Sequence, residues 1–191
     1  MQIIFATQNP NKLVEIQNQI GDQHEIKSLL DLGLTEELEE TQETLEGNAL
    51  QKARFVFKKF KQACFADDTG LEIESLNGEP GVFSARYGGP EKSFESNMNL
   101  VLDKLKGKQN RSAQFRTAIA YINKQGEELI FEGVCRGEIL EEKVGEKGFG
   151  YDPIFKPEGH LKSFAEMTLN AKNEISHRGL AFSKLIYHLS K

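Results

Sequence analysis

Apolar runs and amphipathic segments alternate along the first third of the chain. Residues 3–6 form an apolar run, and apolar positions at helical spacing over residues 13–20 follow after a polar loop, which predicts a strand, a loop and a helix. Residues 24–30 predict a second strand. The segment 36–44 begins with four glutamates in five residues and predicts an exposed loop, whereas the apolar stripe over residues 50–60 predicts a second helix.

The second half of the chain contains several β-rich segments in succession. A predicted helix at residues 94–105 precedes them, and an amphipathic helix over residues 182–189 is the last predicted element. The β-rich segments cover residues 113–122, 128–135 and 137–144, with breaks at Gly126 and Gly137. Because helices and strands alternate early but strands follow one another late, we expect an α/β fold with a mixed sheet.

Length, charge and cysteine content limit the class of protein. With 191 residues, of which 38% are hydrophobic, the chain suits one domain over residues 1–191. Its net charge of −5 argues against a nucleic acid as partner, because such proteins usually need a basic face. No apolar run or signal peptide indicates a membrane partner, so we expect a cytoplasmic protein. Cys64 and Cys135 lack metal-site spacing and are expected to be reduced, buried thiols.

The polar loop after the first predicted strand is a candidate phosphate site. Thr7, Asn9, Asn11 and Lys12 lie where this loop enters a helix, and unpaired backbone N–H groups at such a place favour an anion. In the alternative interpretation, Thr7 or Asn9 only caps the helix and Lys12 is solvated. The loop matches neither the GxxxxGK[ST] nor the GxGxxG phosphate motif.

Two adjacent carboxylates, Asp67 and Asp68, follow a short predicted strand. They repel each other, and a divalent cation would compensate them, since Mg²⁺ prefers a few carboxylates together with water and phosphate oxygens. The acidic loop would supply a further carboxylate from Glu39 or Glu40. The alternative is an ordinary turn that ends at Gly70 and holds no metal.

A third group combines aromatic and cationic residues near the end of the chain. Phe149 and Tyr151 are able to stack on a base, but stacking hardly distinguishes one base from another. Donors such as His177 and Arg178 would favour a 6-oxo purine over adenine, which presents an amino donor at that edge. Alternatively, the aromatic residues belong to the core, and Lys172 and Arg178 lie on a solvated helix face.

The order of these motifs resembles one family, the inosine triphosphate pyrophosphatases, which remove non-standard purine nucleotides. The matching stretches extend from residue 6 to residue 179, so the resemblance covers nearly the whole chain and is specific. They are residues 6–12, 39–41, 47–49 with Lys52, 66–71, 80–81, 84–87, 148–153, 172–173 and 175–179.

The resemblance implies hydrolysis of ITP, dITP or XTP to the monophosphate and pyrophosphate, with Mg²⁺ as cofactor. Asp68 would be the proton acceptor and a Mg²⁺ ligand, Glu40, alone or with Glu39, would complete the metal site, and Thr69 would touch the substrate. The triphosphate would be bound by Thr7, Gln8, Asn9, Pro10, Asn11, Lys12 and Lys52, and the base by Phe149, Gly150, Tyr151, Asp152, Lys172, His177 and Arg178.

The resemblance also implies an architecture and an assembly. The expected fold is an elongated mixed sheet flanked by helices, in two lobes with a central active-site cleft, and the expected assembly is a homodimer. Gly47 stands where many relatives carry glutamate, which removes one candidate carboxylate, and Tyr151 stands where some carry tryptophan.

Two other functions stay open at this point. A nucleotide pyrophosphatase of similar architecture would act on modified pyrimidine triphosphates. A nucleotide-binding regulator would bind a triphosphate without turnover, although the acid pair, the acidic loop and the cations together speak against it.

Overall fold

The computed structural model describes residues 2–20 and 24–191. Its helices are α1 (Pro10–Ile20), α2 (Leu45–Phe60), α3 (Phe94–Lys104), α4 (Leu169–Ile175) and α5 (His177–Leu189). Its strands are β1 (Gln2–Phe5), β2 (Glu25–Ser28), β3 (Cys64–Ile73), β4 (Pro80–Gly81), β5 (Ser112–Ile122), β6 (Glu128–Ile139) and β7 (Phe155–Pro157). Among the described residues, no helix has the length and apolar character needed to cross a membrane.

The strands form one mixed sheet in the order β2-β1-β3-β5-β6-β7, with β4 paired to β3. Strand β1 is parallel to β2 and to β3, whereas the β3–β4 and β6–β7 pairs are antiparallel. Parallel pairs need long connections, and α1 and α2 lie in the connections of β1 to β2 and of β2 to β3. The predicted α/β fold with a mixed sheet is therefore confirmed.

The chain divides into two compact units. Unit 1 contains Met1–Asp68, Thr117–Gly133 and Arg178–Lys191, and unit 2 contains Thr69–Arg116 and Val134–His177. The single domain, the elongated form and the central cleft expected from the sequence stay predictions.

Each unit has its own apolar core. In unit 1, the ring of Phe65 stacks on Phe5 at 4.4 Å and lies 5.7 Å from the ring of Phe182, which ties β1, β3 and α5 together. In unit 2, Phe115 packs edge-on against Phe155 with ring centroids 4.7 Å apart. The apolar runs of the sequence therefore become the buried faces of the sheet and its helices.

Two glycines lie inside strands, although the sequence indicated a turn at Gly70 and a break between strands at Gly137. Gly70 belongs to β3 and Gly137 to β6. A Cβ at Gly70 would lie 2.8 Å from the carbonyl oxygen of Gly81, so glycine lets β4 approach β3. A Cβ at Gly137 would lie 2.2 Å from the carbonyl oxygen of Lys156 in the neighbouring β7. The predicted break at Gly137 is therefore wrong, and β3 likewise continues through Asp67 and Asp68.

The two cysteines provide a test of the packing. Both are buried, and burial raises the pKa of Cys64 to about 12 and that of Cys135 to about 11. At these pKa values, at most about one thiol in a thousand is ionised at pH 8, and the thiolate is the form that reacts.

Alkylation of the cysteines tests this packing. We expect iodoacetamide at pH 8 to modify neither thiol in the folded protein and both in urea, as counted by mass spectrometry. Rapid labelling of the folded protein would contradict the packing of β3 or β6.

Candidate functional site

The loop after β1 leads directly into α1 in unit 1. Pro10 is the first helical residue, and the Asn9 side chain accepts a hydrogen bond from the backbone N–H of Asn11 at 3.0 Å. Thr7 in turn accepts from the N–H of Asn9 at 3.1 Å. Asn9 therefore caps the helix, as one interpretation of the sequence predicted, but Lys12 is not a solvated residue.

Lys12 begins a chain of alternating charges. Its Nζ lies 3.0 Å from Asp67 Oδ1, and Arg178 Nε donates to the other oxygen of Asp67 at 3.1 Å. Arg178 Nη1 also donates to the carboxylate of Glu15. Positive and negative groups thus alternate from Lys12 through Asp67 and Arg178 to Glu15, within unit 1.

Burial and neighbouring charges set the protonation states in this chain. Burial by itself would raise the pKa of Asp67, but Lys12 and Arg178 outweigh it and hold that pKa well below the ordinary range of a carboxyl. Burial lowers the pKa of Lys12, and Asp67 opposes that shift. Asp67 therefore stays ionised and pairs with the ammonium of Lys12 near the start of α1, next to the candidate phosphate site.

A second ion-pair group surrounds Lys52 on α2. Its Nζ lies 2.5 Å from Glu40 Oε1 and 3.3 Å from Asp68 Oδ1, and both Lys52 and Asp68 are buried. Asn48, one turn earlier on the helix, donates to Asp68 Oδ2 at 3.1 Å. Two carboxylates that are far apart in sequence therefore converge on one positive centre.

The protonation state of Asp68 differs from that of its neighbour Asp67. Burial raises the pKa of Asp68, Lys52 opposes the shift, and the nearby charge of Glu40 adds to it. Burial would lower the pKa of Lys52, but Asp68 and Glu40 raise it on balance. Among two adjacent acids, Asp68 is therefore the one suited to accept a proton.

The donor set around Asp68 fits a magnesium ion that also binds substrate. Asp68 and Glu40 are hard oxygen donors that already converge on a cation, and Mg²⁺ is commonly held by one or two carboxylates plus phosphate oxygens. Within residues 2–20 and 24–191, no group of three or more His, Cys, Asp or Glu side chains surrounds a metal position. Glu39 is exposed, whereas Glu40 pairs with the buried Lys52 beside Asp68, so Glu40 is the better candidate ligand.

Unit 2 carries a separate cation beside aromatic rings. Lys172 Nζ lies 2.5 Å from Asp152 Oδ2, and both side chains are buried. The same Nζ lies 5.0 Å from the ring centroid of Phe149 and 5.5 Å from that of Phe164. Asp152 Oδ2 also accepts from the N–H of Phe149 at 2.8 Å, and Gly148, with φ of 73°, leaves room for that carboxylate. Lys172 therefore does not lie on a solvated helix face.

Two other predicted base-binding residues lie in the packed interior of unit 2. Tyr151 is buried and its hydroxyl donates to the carbonyl oxygen of Ser84 at 2.7 Å. His177 is buried and stacks on Phe115 with ring centroids 4.4 Å apart. Gly150 has a positive φ of 65°, which glycine adopts without strain. The role of each of these residues in binding the base stays a prediction.

The structure also identifies residues that the sequence interpretation gave no role. Glu15 and Asn48 are buried in unit 1 and bond to Arg178 and Asp68, respectively. On α2, Asn48 and Lys52 take positions within the buried stripe of that helix. A polar residue at a core position of an amphipathic helix was thus a signal available in the sequence.

Comparison with known proteins gives a consistent result along the whole chain. The sequence model of the Ham1 family matches residues 3–188. A dITP/XTP pyrophosphatase from Christiangramia forsetii is 52% identical over 191 residues, which is 100% of both chains. The dITP/XTP pyrophosphatase of Bacillus subtilis is 46% identical and covers 96% of this chain and 94% of its own.

Solved structures agree with the sequence relatives. The Ham1 protein of Staphylococcus aureus superimposes with a TM-score of 0.90 at 37% identity, covering 100% of this chain and 98% of its own. A HAM1 protein from Coxiella burnetii gives a TM-score of 0.90 at 38% identity with the same coverage.

Replacement of Asp67 tests the alternating charges. Asp67→Asn removes the carboxylate that the partly exposed Lys12 shares with the buried Arg178, so we expect the free energy of unfolding to fall by about 3 kcal/mol at pH 7. Because the pKa of Asp67 is lower in the folded than in the unfolded protein, its stabilisation is present above about pH 4 and is lost below it. Urea titrations should therefore show a wild-type advantage that shrinks as the pH falls from 5 to 3. An advantage independent of pH would contradict this account.

Proposed function

The chain belongs to the Ham1 family, and we propose that it hydrolyses non-standard purine nucleoside triphosphates such as ITP, dITP and XTP to the monophosphate and pyrophosphate. The family resemblance that the sequence motifs predicted is confirmed. The relatives named dITP/XTP pyrophosphatase cover the chain in full or nearly so, which supports the same reaction here.

The observation that carries the proposal is the convergence of Glu40 and Asp68 on Lys52. This arrangement places a buried base and a buried ammonium together, beside a loop whose helix N-terminus favours phosphate. A triphosphate carries about four negative charges, and removal of its charge repulsion is the main task of a catalyst for phosphoryl chemistry.

Asp68 and Glu40 are proposed to hold Mg²⁺ jointly with phosphate oxygens of the substrate. When bound, the ion supplies a positive charge that offsets the charge developing on the phosphate oxygens. The ammonium groups of Lys12 and Lys52 would add to that charge, and their ion pairs with Asp67 and Asp68 hold them in place.

Asp68 is proposed to act as the proton acceptor. Its carboxylate orients a water molecule and takes a proton from it as the water oxygen bonds to the α-phosphorus and the bond to pyrophosphate breaks. Water is consumed, and the products are the nucleoside monophosphate, pyrophosphate and the proton left on Asp68.

Selection of the base is assigned to the group around Lys172. Lys172 Nζ, which donates to Asp152 Oδ2 at 2.5 Å, is proposed to donate to the 6-oxo group of hypoxanthine or xanthine as well. The amino group of adenine would instead place a donor opposite this donor. Phe149 offers a ring face beside that ammonium for stacking.

A panel of triphosphates tests the reaction class and the substrate together. We expect dITP, ITP and XTP with Mg²⁺ to release pyrophosphate at rates at least about 100-fold above ATP, because the 6-amino group of adenine would face the Lys172 donor and one such mismatch costs several kcal/mol. Chromatography should show the monophosphate and no diphosphate. Preference for modified pyrimidine triphosphates, or tight dITP binding without turnover, would instead support the two alternatives.

Asp68→Asn tests the assignment of the base. The amide is nearly isosteric but takes up no proton, so we expect kcat for dITP to fall by at least about 100-fold. Circular dichroism and thermal melting should show that the variant stays folded. Turnover near that of the wild type would remove Asp68 from this role.

Two expectations from the sequence continue as proposals. A homodimer is tested by sedimentation equilibrium of the purified protein. The choice of Mg²⁺ is tested by removal of divalent ions with a chelator and restoration of activity with Mg²⁺ alone.

A further inference from the structure

We propose that Asn48 is a positioning residue that joins the acidic loop to Asp68 and so sets the spacing of the two metal-binding carboxylates. The inference rests on the function proposed above. Asn48 is 1% exposed and lies near the start of α2, where its side-chain amide bonds to Asp68 and to the backbone of Gln42.

Both ends of the Asn48 amide are engaged. The nitrogen donates to Asp68 Oδ2 at 3.1 Å, and the oxygen accepts from the backbone N–H of Gln42 at 2.9 Å. Gln42 lies two residues after Glu40, so a single side chain connects the base to the backbone of the segment that carries its partner carboxylate. An amide is suited to this task, because it offers a donor and an acceptor on one rigid plane.

The contact with Asp68 fixes one oxygen of the carboxylate and leaves the other for Lys52. Asp68 Oδ1 lies 3.3 Å from Lys52 Nζ, while Asn48 holds Oδ2. Ligating carboxylates are usually oriented by such hydrogen bonds, and loss of the partner commonly costs about 10- to 100-fold in metal affinity or activity.

The contact with Gln42 belongs to a set that holds the acidic loop on α2. Gln51, on the next turn, accepts from the N–H of Thr41 at 3.1 Å and donates to its hydroxyl at 3.0 Å. A Cβ at Gly47 would lie 2.8 Å from Cβ of Gln42, so the absence of a side chain at residue 47 lets the loop pack closely. Gly47, which the sequence marked as a lost carboxylate, therefore permits the seating of the loop that carries Glu40.

Three variants separate these contacts. Asn48→Leu keeps the volume and removes both hydrogen bonds. Asn48→Asp keeps the acceptor for Gln42 but loses the donor to Asp68. Arg54→Gln is the control for a general weakening of α2, because Arg54 is exposed and its guanidinium donates to the carboxylate of Glu128 at 2.7 Å, away from Asn48 and Asp68.

The readouts are kcat for dITP, the Mg²⁺ concentration that gives half-maximal rate, Mg²⁺ binding to the nucleotide-free protein by calorimetry, and the melting temperature. For Asn48→Leu we expect kcat to fall by about 10- to 100-fold and Mg²⁺ affinity to fall by a similar factor. Hydrogen bonds that orient ligating carboxylates commonly contribute about this much. Asn48→Asp should lose kcat to a similar degree, and its melting temperature should fall as well, because the new carboxylate lies about 3 Å from that of Asp68. Arg54→Gln should keep the wild-type kcat and Mg²⁺ dependence.

The outcomes distinguish this inference from the proposed function. If Asn48→Leu lowers the melting temperature but leaves kcat and the Mg²⁺ dependence within twofold of the wild type, Asn48 is only structural and the inference is wrong. If the wild type itself neither releases pyrophosphate from dITP nor binds Mg²⁺, the proposed function is wrong. The inference, which depends on that function, is then wrong as well.

Discussion

Burial of charge is the constraint on which unit 1 depends. Glu15, Lys52, Asp67, Asp68 and Arg178 are all buried there, and an unpaired charge in such a place costs several kcal/mol. Ion pairs offset this cost, because each of these buried carboxylates contacts the ammonium or guanidinium group of at least one cation. Under the proposed function, the same ion pairs would also keep Lys12 and Lys52 charged for binding a triphosphate, so stability and function would depend on the same contacts.

Adjacent carboxylates obtain different properties from their surroundings. Successive residues of a strand point to opposite faces, so Asp67 and Asp68 meet different partners although they are neighbours in β3. Asp67 lies against Lys12 and Arg178, which lower its pKa, whereas Asp68 shares Lys52 with Glu40 and has a raised pKa. One acid is thereby fixed as a structural anion, and the other is left with the character of a base.

Helix α2 organises the second of these environments. Its buried side carries Asn48 and Lys52 among apolar residues, and Gln51 binds the loop that carries Glu40. Polar residues at core positions of a helix are costly unless each finds a partner, and here the partners are the candidate catalytic groups. The packing of α2 and the geometry around Asp68 are therefore not independent of each other.

The sequence by itself indicated the longer helices and most of the longer strands, the mixed sheet and the family, because apolar periodicity and local motifs are properties of neighbouring residues. It did not indicate the short elements β4, β7 and α4. It also indicated Asp68, Lys12 and Lys52 through the family motifs. Only the tertiary structure joined Asp67 to Arg178, which are 111 positions apart, and selected Glu40 over Glu39 as the carboxylate near Lys52. Such choices depend on which side chains the fold brings within hydrogen-bond distance, and no local pattern encodes that distance.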